Sequence, residues 1–394
     1  MSDRRGPRGL LSRPPTWLFV ILIAVRLLVV ALVIADASRH GVDDPVVLRA
    51  ERLATSPARP YLDFPVGAMP LETLFARTLG GGGAESTAAK MALLAFVADL
   101  AAAAALWWGW GRRPAATYLL LGLPVLGFAY LRFDLVSVAL AAWAIALLRR
   151  RGDDVVAGAS FGLAVWAKLW PLVLLPLLWL VRARRAALTI AGILLVGGGV
   201  WYLTGGPKGP IQVLTQRGAI GWAASSTVGN LVDLFASSPA GPEGAVVRVG
   251  TASTALKGLL FAALVACEAV IWWRVVRARQ PLARDPSGGT ALVAVTIPLV
   301  FAPILSVQYL TWLLPWAAFA FEGDELERRV ATLAAVAIAI TGLLGLASPL
   351  SVPGTFLELL TLARNGLLVA LVTTWLIGDR TIARRGSDAA VAQT

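Results

Sequence analysis

"WLFVILIAVRLLVVALVIA" occupies residues 17–35 and contains a single charged side chain, Arg26. A run of that length and apolarity meets the ~20 residues that a helix needs to cross about 30 Å of hydrocarbon. No small-residue cleavage pattern closes it, so Trp17 to Ala35 reads as a retained helix rather than a leader.

The pattern repeats along the chain. Of 394 residues, 58% are hydrophobic and 15% charged, and the mean hydropathy is +0.74. Soluble domains carry about 25% charged residues and about 45–50% apolar ones. Apolar runs separated by short charged clusters predict an all-α, polytopic integral membrane protein, a single transmembrane domain over residues 1–394. The net charge of +12 then reads as Lys and Arg gathered on cytoplasmic loops, not as a nucleic-acid surface. One cysteine, Cys267, inside an apolar run excludes a disulfide framework and a Cys-based metal site. His40 is the sole histidine, which excludes His-rich metal sites and disfavours Ser-His-Asp chemistry.

Basic clusters recur at Arg4, Arg5, Arg8 and Arg13, at Arg112 and Arg113, at Arg149 to Arg151, and at Arg182, Arg184 and Arg185. They continue at Arg274, Arg277, Arg279 and Arg284, at Arg328 and Arg329, and at Arg380, Arg384 and Arg385. With all of them cytoplasmic, each interval must hold a helical hairpin. The hairpins are 17–36 with 86–110, 115–131 with 134–148, 155–168 with 170–181, 186–204 with 257–276, 289–306 with 309–321, and 330–348 with 355–377. That makes about twelve spans with both termini inside. Several are shorter than a bilayer requires, which marks them as enclosed by other helices. Two outer loops are long, residues 37–85 and 205–256, so the chemistry is expected on the outer face.

The first of these loops reads "HGVDDPVVLRAERLATSPARPYLDFPVG" over residues 40–67. Asp44 before Pro45 is a helix start, with Val46, Val47, Ala50 and Leu53 on one face and Arg49 and Arg52 on another. Pro70 opens a second helix, with Leu71, Leu74, Phe75 and Leu79 on its apolar face. Both suit helices lying in the membrane interface. A cap needs one aspartate, yet Asp43 adjoins Asp44 and Asp63 follows. Carboxylates held at the membrane surface suit a general base acting on a lipid-borne substrate.

Ionisable groups set in apolar surroundings are functional candidates by default. Arg132 and Asp134 stand in a tight outer turn, either as a mutual pair or as substrate ligands. Lys168 stands in the next outer turn, where it either snorkels or binds substrate. Gln308 and Tyr309 fall at the outer end of a later hairpin, and Arg364 with Asn365 lies within the last span. Arg26 and Asp99 face the prospect of neutralising each other, Glu268 has no evident partner, and Gly158 with Gly162 reads as helix packing.

The order of a first span, an aspartate-bearing outer loop with two interfacial helices, and many short hairpins resembles the GT-C superfamily of membrane glycosyltransferases. The nearer likeness is to the bacterial polyprenyl-phosphate-sugar-dependent mannosyl- and arabinosyltransferase-like family, glycosyltransferase 87. Asp43-Asp44 matches the aspartate after the first span, and Tyr61-Leu62-Asp63-Phe64 matches a Tyr-x-Asp-Phe element. Ala68-Met69-Pro70 departs from the Tyr-Pro-Pro that the family carries next. The elements at Asp134, Lys168, Gln308-Tyr309 and Arg364-Asn365 are similar to ones the family shows at like positions.

The resemblance implies a bacterial plasma-membrane enzyme that moves mannose or arabinose from a polyprenyl-phosphate donor to a lipid or glycan acceptor. In that scheme Asp44 is the base, with Asp43 second, and Asp63 orients the acceptor. Lys168, Arg364 or Arg132 neutralises the leaving phosphate, and Asp134, Gln308, Tyr309 and Asn365 bind substrate. No organic cofactor is implied; a divalent metal is allowed, with no ligand set readable in the sequence. A nucleotide-driven pump is disfavoured because "GGPKGP" lacks Walker spacing. The alternative is a secondary transporter or flippase of a lipid-linked sugar, with charged groups along a path through the bundle.

Overall fold

A computed structural model describes residues 14–55, 69–150, 152–180, 183–205, 221–236, 242–243, 246–250, 253–277, 285–347 and 354–391. Asp63 and its Tyr-Leu-Asp-Phe element lie outside the described residues. Among the described residues, six helices have the length and apolarity to cross a membrane: Thr16–His40, Ala84–Trp110, Arg184–Leu203, Thr254–Arg277, Glu325–Leu346 and Gly354–Gly378. The molecule is a helical membrane protein.

Helix α1 (Thr16–His40) is followed by two short helices, α2 (Pro45–Thr55) and α3 (Pro70–Leu79), and then by α4 (Ala84–Trp110). The segment expected as one span over 115–131 is broken into α5 (Arg112–Gly122), a 3₁₀ turn at Leu123–Val125, and α6 (Leu126–Ala129). Pro124 sits inside that turn and supplies no amide hydrogen to continue a helix. Helices α7 (Asp134–Arg149) and α8 (Asp154–Ala167) come next. After them, Pro171 and Pro176 divide the following segment into a 3₁₀ turn, Trp170–Leu174, and α9 (Pro176–Leu180).

The second half holds α10 (Arg184–Gly205), α11 (Thr227–Ala236), α12 (Thr254–Arg277), α13 (Gly289–Phe301), α14 (Leu314–Ala320), α15 (Glu325–Ala347) and α16 (Gly354–Val391). A 3₁₀ stretch, Val307–Leu313, precedes α14.

Within the second long loop β1 (Trp222–Ala223), β2 (Pro242–Glu243) and β3 (Val246–Val249) form a small antiparallel sheet ordered β1-β3-β2. Trp222 faces Val249 and Pro242 faces Val247. The β-branched run "VVRV" favours extended backbone. Trp222 is fully buried and anchors the sheet to the bundle.

The short helices are the enclosed ones. From Gly289 to Ile297 every residue of α13 is buried, so its backbone need not span hydrocarbon alone. Small residues set the spacing between helices. A Cβ on Gly109 of α4 would lie 2.9 Å from the Ala146 Cβ of α7. On α8, a Cβ at Gly158 would stand 2.6 Å from the Ala186 carbonyl oxygen, and one at Gly162 would stand 2.8 Å from Ile193, both on or beside α10. The Gly-xxx-Gly pair is therefore packing, as read. The outer faces of α10 and α12 remain apolar and exposed, through residues such as Leu195, Leu203, Phe261 and Trp273.

Ion pairs gather at the two ends of the bundle. At the arginine-rich end Arg113 meets Glu322 at 3.1 Å and Arg149 contacts Asp285. Deep in the core, Arg26 Nε donates to Asp99 at 2.7 Å, and the Tyr118 and Tyr130 hydroxyls donate to the same carboxylate at 2.7 and 3.0 Å. The pairing of Arg26 with Asp99 expected from sequence is present, with two tyrosines added. The end opposite the arginines carries α2, α3 and the candidate site.

Candidate functional site

Asp44 caps α2. Its Oδ1 accepts from the Val46 amide at 2.9 Å and the Val47 amide at 3.3 Å, with Pro45 at the first helical position, where an amide would go unused. The buried face of α2 is Val47, Ala50 and Leu53, close to the face expected. These residues form a small cluster with Ala37 of α1, Ala76 of α3, Met91 of α4 and Phe133, which fixes the first loop onto the bundle.

Glu51 completes the attachment. Its carboxylate accepts from the Thr87 hydroxyl at 2.6 Å and from the Gly81 and Gly83 amides at 2.8 and 3.1 Å. The Thr87 hydroxyl, helped by those amides and opposed by slight burial, holds this carboxyl below the ordinary glutamate range.

On α3 the leucine side lies outward, as suits a helix in the membrane interface, and the side turned to the bundle is partly polar. Leu74 is exposed, Leu71, Phe75 and Leu79 are only partly covered, and Glu72, Thr73 and Ala76 are buried instead. The reason is electrostatic. Glu72 Oε2 accepts from Lys168 Nζ at 3.0 Å and Oε1 from Arg49 Nη2 at 2.9 Å. Turning this carboxylate inward to two cations leaves the leucine side of the helix outward. Met69 at the helix start is buried against Trp201 near the end of α10.

Lys168 follows the last residue of α8 in extended backbone, and Pro171 prevents the helix from resuming. Its side chain is buried rather than snorkelling, and Asp134 Oδ2 lies 3.9 Å away. Asp134, in the first turn of α7, accepts from Trp312 Nε1 at 2.8 Å. Trp312 stacks on Tyr309 with ring centroids 4.4 Å apart and on Trp170 at 5.6 Å. Arg132 does not pair with Asp134: its Nη1 donates to Asp44 Oδ2 at 2.8 Å. The turn of backbone between α6 and α7 sends residues 132 and 134 to different partners.

Six charged side chains thus meet at one end of the bundle: Arg132 with Asp44, and Arg49, Glu72, Lys168 and Asp134 in a chain of contacts. The three cations match the three carboxylates. Among the described residues no group of three or more His, Cys, Asp or Glu is arranged to hold a metal. Asp43 is exposed and makes no hydrogen bond among the described residues.

Arg364 and Asn365 form a second group. Arg364 is fully buried, ten residues into α16. Its Nη2 donates to the Ser225 carbonyl and to Asn365 Oδ1 at 2.9 Å, and its Nε to the same Oδ1 at 3.1 Å. No carboxylate pairs with it among the described residues. Ser225 in turn donates its hydroxyl to the Leu305 carbonyl at 2.7 Å, and the Ala223 amide donates to the Pro303 carbonyl at 2.9 Å. Residues 303–313 therefore carry both the support of Arg364 and the Tyr309–Trp312 stack beside Asp134. Gln308 sits in this segment, half-buried, and its side chain makes no hydrogen bond among the described residues.

Glu72, Trp312 and Ser225 were not singled out by sequence reasoning. Glu72 carried a signal, an acid inside an otherwise apolar helix, "PLETLF"; Trp312 and Ser225 carried none. A scan against family models finds no match for this chain, and no curated protein is similar to it in sequence.

Proposed function

We propose that the protein is a membrane glycosyltransferase of GT-C type, with about twelve passes and both termini cytoplasmic, acting on a polyprenyl-phosphate sugar at the end that carries α2 and α3. The observation that carries this reading is Arg364, a fully buried guanidinium with no carboxylate partner among the described residues. A buried charge without a counter-ion is strongly unfavourable, so an arriving anion is the partner that would compensate it. Lys168 and Arg132 are already neutralised by Glu72 and Asp44. Arg364 is accordingly the group proposed to hold the donor phosphate. Lys168 positions α3 and α7 through Glu72 and Asp134.

In the proposed reaction a carboxylate takes the proton of the acceptor hydroxyl, and the freed oxygen attacks the anomeric carbon. The bond from that carbon to the phosphate oxygen breaks, its electron pair leaves on the polyprenyl phosphate, and the anomeric centre inverts. Developing negative charge on the phosphate strengthens its attraction to Arg364, so that residue stabilises the transition state more than the ground state. Asp44 stays the first choice for the base. A carboxylate has about four lone-pair sites, and the Val46 and Val47 amides and Arg132 engage three of them. Asp43 is the second choice because it is exposed and unengaged.

The alternative, a secondary transporter or flippase of a lipid-linked sugar, draws on a separate observation, the buried Arg26–Asp99 pair with Tyr118 and Tyr130 inside the bundle. Membranes containing the protein, supplied with radiolabelled polyprenyl-phosphate mannose or arabinose, should form a labelled lipid or glycan. Label that crosses the bilayer without changing its covalent attachment would favour the transporter instead.

A further inference from the structure

The cleft between α11 and α16 belongs to neither group above. It is lined by Asn230, Asp233 and Leu234 from α11 and by Thr355, Glu358, Leu359 and Leu362 from α16. Those positions recur at three- and four-residue spacing on each helix, so each set forms one face. Asn365 continues the α16 face one turn deeper, next to Arg364.

Three features describe what would fit. Asn230 is 5% exposed, and its Oδ1 is buried without a hydrogen-bond partner. The Asp233 and Glu358 carboxylates make no ion pair or hydrogen bond among the described residues. Leu234 and Leu359, on the same walls, are 53% and 58% exposed. The polar groups are thus mostly acceptors waiting for donors, and a buried amide oxygen left unpaired costs free energy until a donor arrives. The two carboxylates repel a phosphate. A dehydrated divalent cation is poorly served by two acids and a leucine wall, since such ions take six or more oxygen ligands.

We propose that this cleft binds the uncharged polyhydroxyl headgroup of a lipid. Its hydroxyls donate to Asn230, Asp233 and Glu358, and its hydrocarbon lies along Leu234 and Leu359. The role of such a lipid as the acceptor rests on the transferase reading; its binding does not.

The test is native mass spectrometry of the purified full-length chain with glucosyl-dioleoylglycerol, dioleoylglycerol or dioleoylphosphatidylglycerol added separately. Glucosyl-dioleoylglycerol should bind about tenfold more tightly than dioleoylglycerol, the scale of one or two net hydrogen bonds, and more tightly than the anionic lipid. Asp233→Ala/Glu358→Ala should abolish that preference at an unchanged melting temperature. The milder Asp233→Asn/Glu358→Gln should reduce it, and serves if the first pair fails to fold. Equal binding of the glucosylated and plain lipids overturns the proposal. So does a preference that survives in both double variants, or a calcium-induced rise in melting temperature that the variants lose. Absence of sugar transfer with the lipid preference intact would count against the transferase reading alone.

Discussion

At the scale of single residues, Asp44 and Lys168 separate structure from chemistry. Asn caps a helix about as well as Asp, so Asp44→Asn keeps the bonds to Val46 and Val47 and loses only charge. The partly exposed pair with Arg132 is then worth at most about 1 kcal/mol. A general base lost at the same position costs a factor of about 10²–10⁴ in rate. A large fall in transfer with a nearly unchanged melting temperature is the expected outcome, and an inactive Asp43→Asn beside an active Asp44→Asn would move the base by one residue. Lys168→Met should behave in the opposite way. Among the described residues it leaves Asp134 without its cation and Glu72 with Arg49 alone in buried surroundings, and removing one partner of such a pair costs about 3–5 kcal/mol. The melting temperature should drop, and Glu72→Gln combined with Lys168→Met should recover part of it; an unchanged melting temperature in Lys168→Met would show that the pair supports nothing.

At the scale of elements, the seam between α8 and α10 and the clasp on α2 make separate predictions. Gly158→Val puts carbon against the Ala186 carbonyl, where a Cβ alone would lie 2.6 Å away, and overpacking of this kind costs about 1–3 kcal/mol. Gly192→Ala on α10 meets nothing within 4 Å and should be silent in the same melting assay. The clasp is pH-dependent. Because the Glu51 carboxyl is lower in the folded protein than in the unfolded chain, with the Thr87 hydroxyl the main cause, its stabilisation is complete above the ordinary glutamate range. It is lost as pH falls through the lowered folded value. Amide exchange at Gly81 and Gly83, corrected for intrinsic rate, should therefore accelerate on acidification, and Thr87→Val should move that acceleration to higher pH. Exchange that ignores pH would remove Glu51 from the account.

At the scale of the whole molecule, residues 150 and 230 stand at opposite ends of the bundle. Arg149 and Arg150 belong to the end where Asp285 and the Trp108 carbonyl receive them, while Asn230 adjoins the segment that holds Arg364. Reporter fusions after residues 150 and 230 should report opposite sides of the membrane, with residue 150 cytoplasmic because Lys and Arg are retained there. Fusions reporting the same side would overturn the topology, and with it the placement of the chemistry on the outer face.

Composition and periodicity by themselves determined the class of protein, the first and last long helices, and the start of α2 at Asp44 and Pro45. Those properties depend on local chemistry: apolar length, proline, and a capping oxygen two residues from the amide it serves. They also marked Arg132, Asp134, Lys168, Arg364 and Asn365 as polar groups in apolar surroundings, since hydrocarbon makes any such group conspicuous. Only the tertiary structure decided their partners. Glu72 and Lys168 are 96 residues apart in the chain, and Trp312 and Asp134 are 178 apart; no spacing rule reaches that far. The inward face of α3 was decided in the same way. Hydrophobic periodicity gathered its leucines on one face suited to the membrane interface, but only the ion pairs with Lys168 and Arg49 show that Glu72 turns inward, since an outward leucine meets lipid at little cost while a buried carboxylate must find a partner. The same balance left Arg364 buried with carbonyl and amide oxygens alone, a condition legible only once the helices around it are in place.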